Sequence, residues 1–163
     1  MSITFLSEET TKNYEYQWFV EQLKELSNGK YDILRKDKKE WYSIVSNKEW
    51  DKIKFHFELR WKQGFYINEV SNINLRVHLE SQFVGDEIDK KAREYFTKQK
   101  CIIVGNTIKE IDGKTLEISV TSDFSSEETA KNTIKAIIDI LLHSEAYQNC
   151  AKIADEFISS LDK

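Results

Sequence analysis

The sequence predicts a two-layer α+β fold: an antiparallel sheet of about five or six strands with helices packed on one face, in the order α-βββ(β)-α-ββ-α. Three observations predict it. Strict apolar alternation runs over 53–61 and again over 75–80, the period of a strand with two unlike faces. Apolar residues recur every three or four positions in three other stretches, the period of a helix with one buried stripe. The chain has no proline, and Gly29, Gly64, Gly85, Gly105 and Gly113 all fall between those segments, so turn chemistry and hydrophobic period agree.

Taken in order, a helix is expected from Ser7 or Thr11 to Ser27, burying Tyr16, Phe19, Val20, Leu23 and Leu26 and stopped by Asn28-Gly29 in left-handed geometry. "WYSIVS" (41–46) alternates weakly. In the strand at 53–61, Ile53, Phe55, Phe57, Leu59 and Trp61 point one way and Lys54, His56, Glu58 and Arg60 the other. "GFYINEV" is expected to return as a strand, and "NLRVHLES" then sends Leu75, Val77 and Leu79 inward and Arg76, His78 and Glu80 outward. Asp86 opens a helix to about Lys100 on Ile88, Ala92, Tyr95 and Phe96. "IIVGNTIKEI" and "TLEISVTS" form a strand pair joined by Asp112-Gly113, a two-residue hairpin signal. Ser125 and Glu128 read as a capping box for the last helical stretch. Unbroken from 126 to 162, that helix would measure roughly 55 Å at about 1.5 Å per residue. A domain of this size is only about 40 Å across, so a break near His143-Ser144 is expected.

The 163 residues suit one domain, 1–163, with no linker or repeat. A net charge of −4 speaks against a nucleic-acid partner, since phosphate binding needs a concentrated positive patch. Cys101 and Cys150 stand apart, as buried thiols of a reducing compartment would. No signal-peptide pattern opens the chain and no apolar run suits a bilayer, so a cytoplasmic protein without a membrane partner is expected.

One constellation invites chemistry. His56-x-Glu58-x-Arg60 is mirrored by Arg76-x-His78-x-Glu80, placing two imidazoles and two carboxylates on one sheet face. Such a set suits zinc or iron, or a histidine base held by a carboxylate. Against this, a strand at "GFYINEV" would hold the two phrases about 10 Å apart, across two strand spacings. Lys54, Arg60 and Arg76 would also repel a cation. The expectation is therefore a solvated face on which Lys54 pairs with Glu80 and Glu58 with Arg76. No catalytic residue, metal or cofactor is assigned. His56, Glu58, Arg60, Arg76, His78 and Glu80 remain candidates for binding a partner or ligand, joined by Trp41 and Trp50, which flank a polar stretch and are expected half exposed.

Nuclease chemistry of the PD-(D/E)xK kind lacks its context, because each D-x-K (at Asp37, Asp89 and Asp112) falls in a loop, a helix or a turn. No G-x-S-x-G and no phosphate-cradling glycine loop occurs. Lys90, Lys91, Arg93, Lys98 and Lys100 are interleaved with Asp86, Glu87, Asp89 and Glu94, the pattern of a solvated helix with internal ion pairs.

The succession "WFVEQLKELSNGK", "KEWYSIV", "LRVHLES", "KKAREYFTKQKCI" and a long last helix resembles a small bacterial domain of unknown function that forms the C-terminal part of restriction-nuclease-like or defence-associated proteins. The resemblance covers nearly the whole chain, which departs from it in lacking a nuclease half and in carrying His78. It supplies no catalytic residue and implies an accessory or regulatory module of a bacterial or phage defence system. By element order alone, the chain is also similar to the dimeric chaperones of bacterial secretion systems, which hold an extended effector segment. The expected function is a non-enzymatic module binding a partner protein, with a homodimeric chaperone as one alternative and a metal-dependent enzyme using both H-x-E strands as another.

Overall fold

The computed structural model describes residues 18–37, 42–61, 70–80, 86–123 and 125–162. Its order is helix α1 (18–26), strands β1 (Asp32–Asp37) and β2 (Tyr42–Ser46), a 3-10 helix (Lys48–Ile53), β3 (Phe55–Trp61), β4 (Val70–Leu79), α2 (Asp86–Lys98), β5 (Cys101–Val104), β6 (Thr107–Ile111), β7 (Lys114–Thr115), β8 (Ile118–Asp123), α3 (Glu127–His143) and α4 (Glu145–Leu161). The fold class is as expected, α+β with one antiparallel sheet, but eight strands are described where five or six were anticipated.

The ten-residue β4 organises the sheet. One edge pairs with β3 throughout, Phe55 opposite Leu79 and Trp61 opposite Ile73. The other edge is shared: β8 pairs with residues 70–75 and β6 takes over at Val77 and His78. Sheet order is β1-β2-β3-β4-β6-β5, with β7 on β6. The proposed "GFYINEV" strand lies largely outside the described residues, and direct β3–β4 pairing leaves no place for a strand between the two H-x-E phrases.

The odd-numbered side chains form the core face as the alternation required. Phe55, Phe57 and Leu59 of β3 and Ile73, Leu75, Val77 and Leu79 of β4 are buried against Ala92 and Phe96 of α2, Ile134 and Leu141 of α3, and Tyr147, Cys150 and Ala154 of α4. Each large apolar side chain so buried contributes about 1.5–3 kcal/mol. Phe19 and Leu23 of α1 join this layer, but Leu26 is exposed, since the chain leaves the helix at Asn28 (φ 55°) and Gly29 (φ 75°), the left-handed stop anticipated.

Several boundaries differ from expectation. Ile53 closes the 3-10 helix instead of opening a strand, because Asn47 caps that helix on the Glu49 amide and Lys54 turns left-handed (φ 52°). The stretch from 101 to 111 folds as two strands about Gly105-Asn106, with Gly105 at φ 61°. Asp112-Gly113 does make its two-residue turn, both residues at positive φ, joining β6 to β7. The capping box is one residue later than read: Ser126 accepts from the Thr129 amide, and Thr129 returns the bond. β1 was not anticipated, its two apolar residues being followed by Arg-Lys-Asp.

The predicted break of the last helix is present. Ser144 is extended (φ −64°, ψ 125°), and the Gln148 side-chain amide donates to the Leu141 carbonyl at 2.7 Å, satisfying an end of α3. Each resulting helix is 17 residues, about 25 Å, and fits across the sheet. Among the described residues, no helix is long and apolar enough to cross a membrane.

Candidate metal centre

β3 and β4 place His56 directly opposite His78 and Glu58 directly opposite Arg76. Side chains two apart share a face, so His56, Glu58, His78 and Glu80 converge on one patch. That patch is not the solvated surface anticipated. His56 is 6% exposed, Glu58 3% and His78 8%, and Ile44, the cross-strand neighbour of Glu58 on β2, is buried beside them. The alternation separated the two faces correctly but did not reveal that both are covered here. Lys54, Arg60, Arg76 and, at the rim, Glu80 are the members of the two rows that reach water.

The charge pairs also differ from expectation. Lys54 binds Asp51 at 2.9 Å, while its carbonyl accepts the Glu80 amide. Arg60 donates from Nε to Glu58 Oε1 at 3.1 Å. Arg76 turns instead to Glu117, whose Oε1 lies 3.2 Å from its Nε, and Lys109 Nζ donates to Glu117 Oε2 at 2.6 Å. Glu117 and Lys109 were missed because nothing local marks them; they meet Arg76 where the partner of β4 changes from β8 to β6.

Within the patch, Glu58 Oε2 lies 3.8 Å from His56 Nε2 and 3.5 Å from His78 Nδ1, and His78 Nδ1 lies 3.0 Å from Glu80 Oε1. The two imidazole centroids are 5.3 Å apart. Burial opposes ionisation of Glu58, but the neighbouring His56 imidazole and the charges of His78 and Arg60 outweigh it, holding the carboxyl below the ordinary glutamate value. Among the described residues, His56 Nε2 and His78 Nε2 are buried without a hydrogen bond. Leaving such an atom unsatisfied costs about 1–3 kcal/mol.

One donor atom from each of His56, Glu58, His78 and Glu80 can be chosen so that all four lie within 4.8 Å of one another. Around a tetrahedral ion with ligand bonds near 2.0–2.1 Å, neighbouring ligand atoms stand about 3.3 Å apart. The separations of 3.0, 3.5 and 3.8 Å are close to that edge. In the tautomer with its proton on Nε2, His78 presents Nδ1 as a metal-donor atom facing both carboxylates. The objection that arginines would repel a cation loses force, because Arg60 and Arg76 are each paired with a carboxylate.

The remaining candidates do not join this centre. Trp50 is fully buried, not half exposed, with its Nε1 donating to Asp155 at 2.7 Å; Trp41 lies outside the described residues. Cys101 and Cys150 are buried free thiols, as expected. The ion pairs read along α2 are present as Lys91–Glu87 and Arg93–Asp89. No protein-family model, curated protein or solved structure matches the chain.

The Lys109 hydrogen bond, aided by Arg76 and His78, holds the Glu117 carboxyl below its ordinary value of 4.5. A carboxyl depressed in the folded state stabilises above the unfolded pKa, and that stabilisation is lost as pH falls through the folded one. Lys109→Met is therefore expected to be less stable than the parent at pH 7, with the two converging as pH drops below 4.5. Urea unfolding across that range checks this; a gap that persists into acid would mean Lys109 acts through packing instead.

Proposed function

We propose that this domain binds a divalent transition-metal ion of the zinc class through His56, Glu58, His78 and Glu80. The observation that carries the reading is His56 Nε2: a buried imidazole nitrogen with no hydrogen bond, 3.8 Å from a buried carboxylate oxygen that also faces His78. Two nitrogens and two carboxylate oxygens suit zinc or iron better than calcium or magnesium. The exposure of the four side chains is graded, with His56, Glu58 and His78 nearly enclosed and Glu80 25% accessible. Four protein ligands would close a tetrahedral site, and Glu80, the accessible one, is the ligand whose displacement would open a position for exchange.

The test is direct. Chelator-treated protein is titrated with zinc and followed by calorimetry and thermal unfolding. One equivalent is expected to bind. At a free zinc concentration one hundred times Kd, the folded state gains about 2.7 kcal/mol. For a domain of this size that is a rise of about 5–10 °C in Tm. A midpoint indifferent to zinc, with no stoichiometric heat, would leave the cluster as a buried polar network only.

A second reading, a module that docks a partner protein, draws on a different observation. Strand β5 ends the β4-β6-β5 side of the sheet, and its Ile102 and Val104 are both about half exposed. An edge strand with apolar outward residues is suited to pairing with another chain. Ile102→Lys with Val104→Lys is the variant that would abolish such pairing while leaving the His–Glu patch intact.

A further inference from the structure

We infer that the metal held at His56, Glu58, His78 and Glu80 takes a small oxyanion as its exchangeable ligand, with Arg76 as the second contact to that anion. This rests on the metal reading above and adds the chemical class of what the site receives.

Charge favours an anion at this metal. Among the described residues, the polar network around the patch contains three carboxylates, Glu58, Glu80 and Glu117, and three cations, Arg60, Arg76 and Lys109. With both imidazoles neutral, as ligation demands, these described groups balance before any ion enters. A divalent ion then adds two positive charges beside side chains that are largely removed from water. Uncompensated charge in such surroundings is costly, so an anion bound with the metal is favoured over a neutral ligand.

Arg76 is placed beside two of the ligands. It stands opposite Glu58 in register and two residues before His78 on the same face, a separation of about 7 Å along the strand. Its Nε is buried and makes no aligned hydrogen bond, although Glu117 Oε1 lies 3.2 Å away. The pair therefore matches charge without using that N–H. A guanidinium is planar and forked, suited to two oxygens of one oxyanion. Arg76 (30% exposed) and Glu80 (25%) flank buried His78 on β4, opposite Glu58 and beside Lys54 respectively, so the accessible route that also meets the guanidinium lies at the Arg76–Glu58 end of the patch. An oxyanion entering there places one oxygen on the metal, displacing Glu80 or a water, and another on Arg76.

The experiment uses the full chain loaded with cobalt(II), whose visible d–d absorption reports the ligand set. Inorganic phosphate and, separately, acetate are titrated at constant ionic strength, with chloride as the control. The expected result is a saturable change in the cobalt spectrum with one or both oxyanions and none with chloride; which oxyanion binds tighter separates phosphoryl from carboxylate ligands. Arg76→Gln is expected to keep cobalt binding and weaken the oxyanion about tenfold or more. Arg76→Lys, which keeps the charge but loses the fork, should fall between. Cobalt bands that ignore both oxyanions would overturn the inference while leaving the metal reading in place, and so would an Arg76→Gln protein that binds them as tightly as the parent. Absence of cobalt bands would overturn both.

Discussion

Trp50→Ala is expected to lower the unfolding free energy by about 3–5 kcal/mol, the range found when a buried large aromatic is truncated and its cavity only partly refills. Trp50 has no accessible surface, and its ring meets Tyr31 at 5.4 Å, Phe55 at 4.8 Å and Phe57 at 5.3 Å. Those neighbours lie on β3 and at the entry to β1, and Phe57 in turn packs on Tyr147 of α4 at 5.2 Å. The indole therefore joins the 3-10 helix to sheet and helix layers at once, and truncating it strips contacts from all three. Its Nε1–H also donates to Asp155 of α4, a charge-assisted bond of about 1.5–3 kcal/mol. Trp50→Phe keeps most of the packing and removes that bond, so it should lie between parent and alanine variant. Urea unfolding followed by near-ultraviolet circular dichroism measures all three; a loss below about 1 kcal/mol for Trp50→Ala would mean that the surrounding aromatics collapse into the space.

Replacing either histidine by alanine is expected to reduce zinc affinity at least about a hundredfold, because even partners that merely orient a ligand cost about 10–100-fold when lost. The two variants should differ without metal. His56→Ala removes a nitrogen that makes no hydrogen bond, whereas His78→Ala takes away the contact of Nδ1 with both Glu80 and Glu58. In chelator, His56→Ala should thus be the milder change, with the order of stability set by polar satisfaction. Glu58→Gln completes the series: it keeps shape, removes the charge that Arg60 and the imidazoles share, and should abolish the zinc-dependent rise in Tm. Calorimetry with and without chelator resolves these outcomes. A His56→Ala protein that still gains the full zinc stabilisation would remove His56 from the centre.

The parts of the fold that were readable were those whose signal is local. The alternation of Phe55, Phe57 and Leu59 with His56, Glu58 and Arg60 placed β3, and the same pattern at Leu75, Val77 and Leu79 placed the end of β4. The spacing of Ile134, Ile137, Ile138 and Leu141 marked α3, and simple length required a break near Ser144. Boundaries set by one or two hydrogen bonds were less legible. The Ser126 cap and the 3-10 turn holding Trp50 each depend on a side chain choosing among several amides within a residue or two. The polar stretch flanked by Trp41 and Trp50 suggested an exposed anchor, because the packing of the 3-10 helix on the sheet and α4, which buries Trp50, is a long-range property.

The candidate centre shows the same division. Alternation by itself determined that His56 and Glu58 share one side of a strand and that His78 and Glu80 share one side of another, since the pleat enforces a period of two. It also determined a core face, and so the α+β class. Only the tertiary structure decided that β3 and β4 are direct neighbours with His56 against His78, that the polar row is buried, and that Glu117 and Lys109 arrive to engage Arg76. The physical reason is that strand pairing and face coverage are settled by contacts between segments far apart in the chain, summed over the whole sheet. Each residue carries its own polarity, but whether that polarity meets water, a counter-charge or a metal depends on what the rest of the chain lays over it.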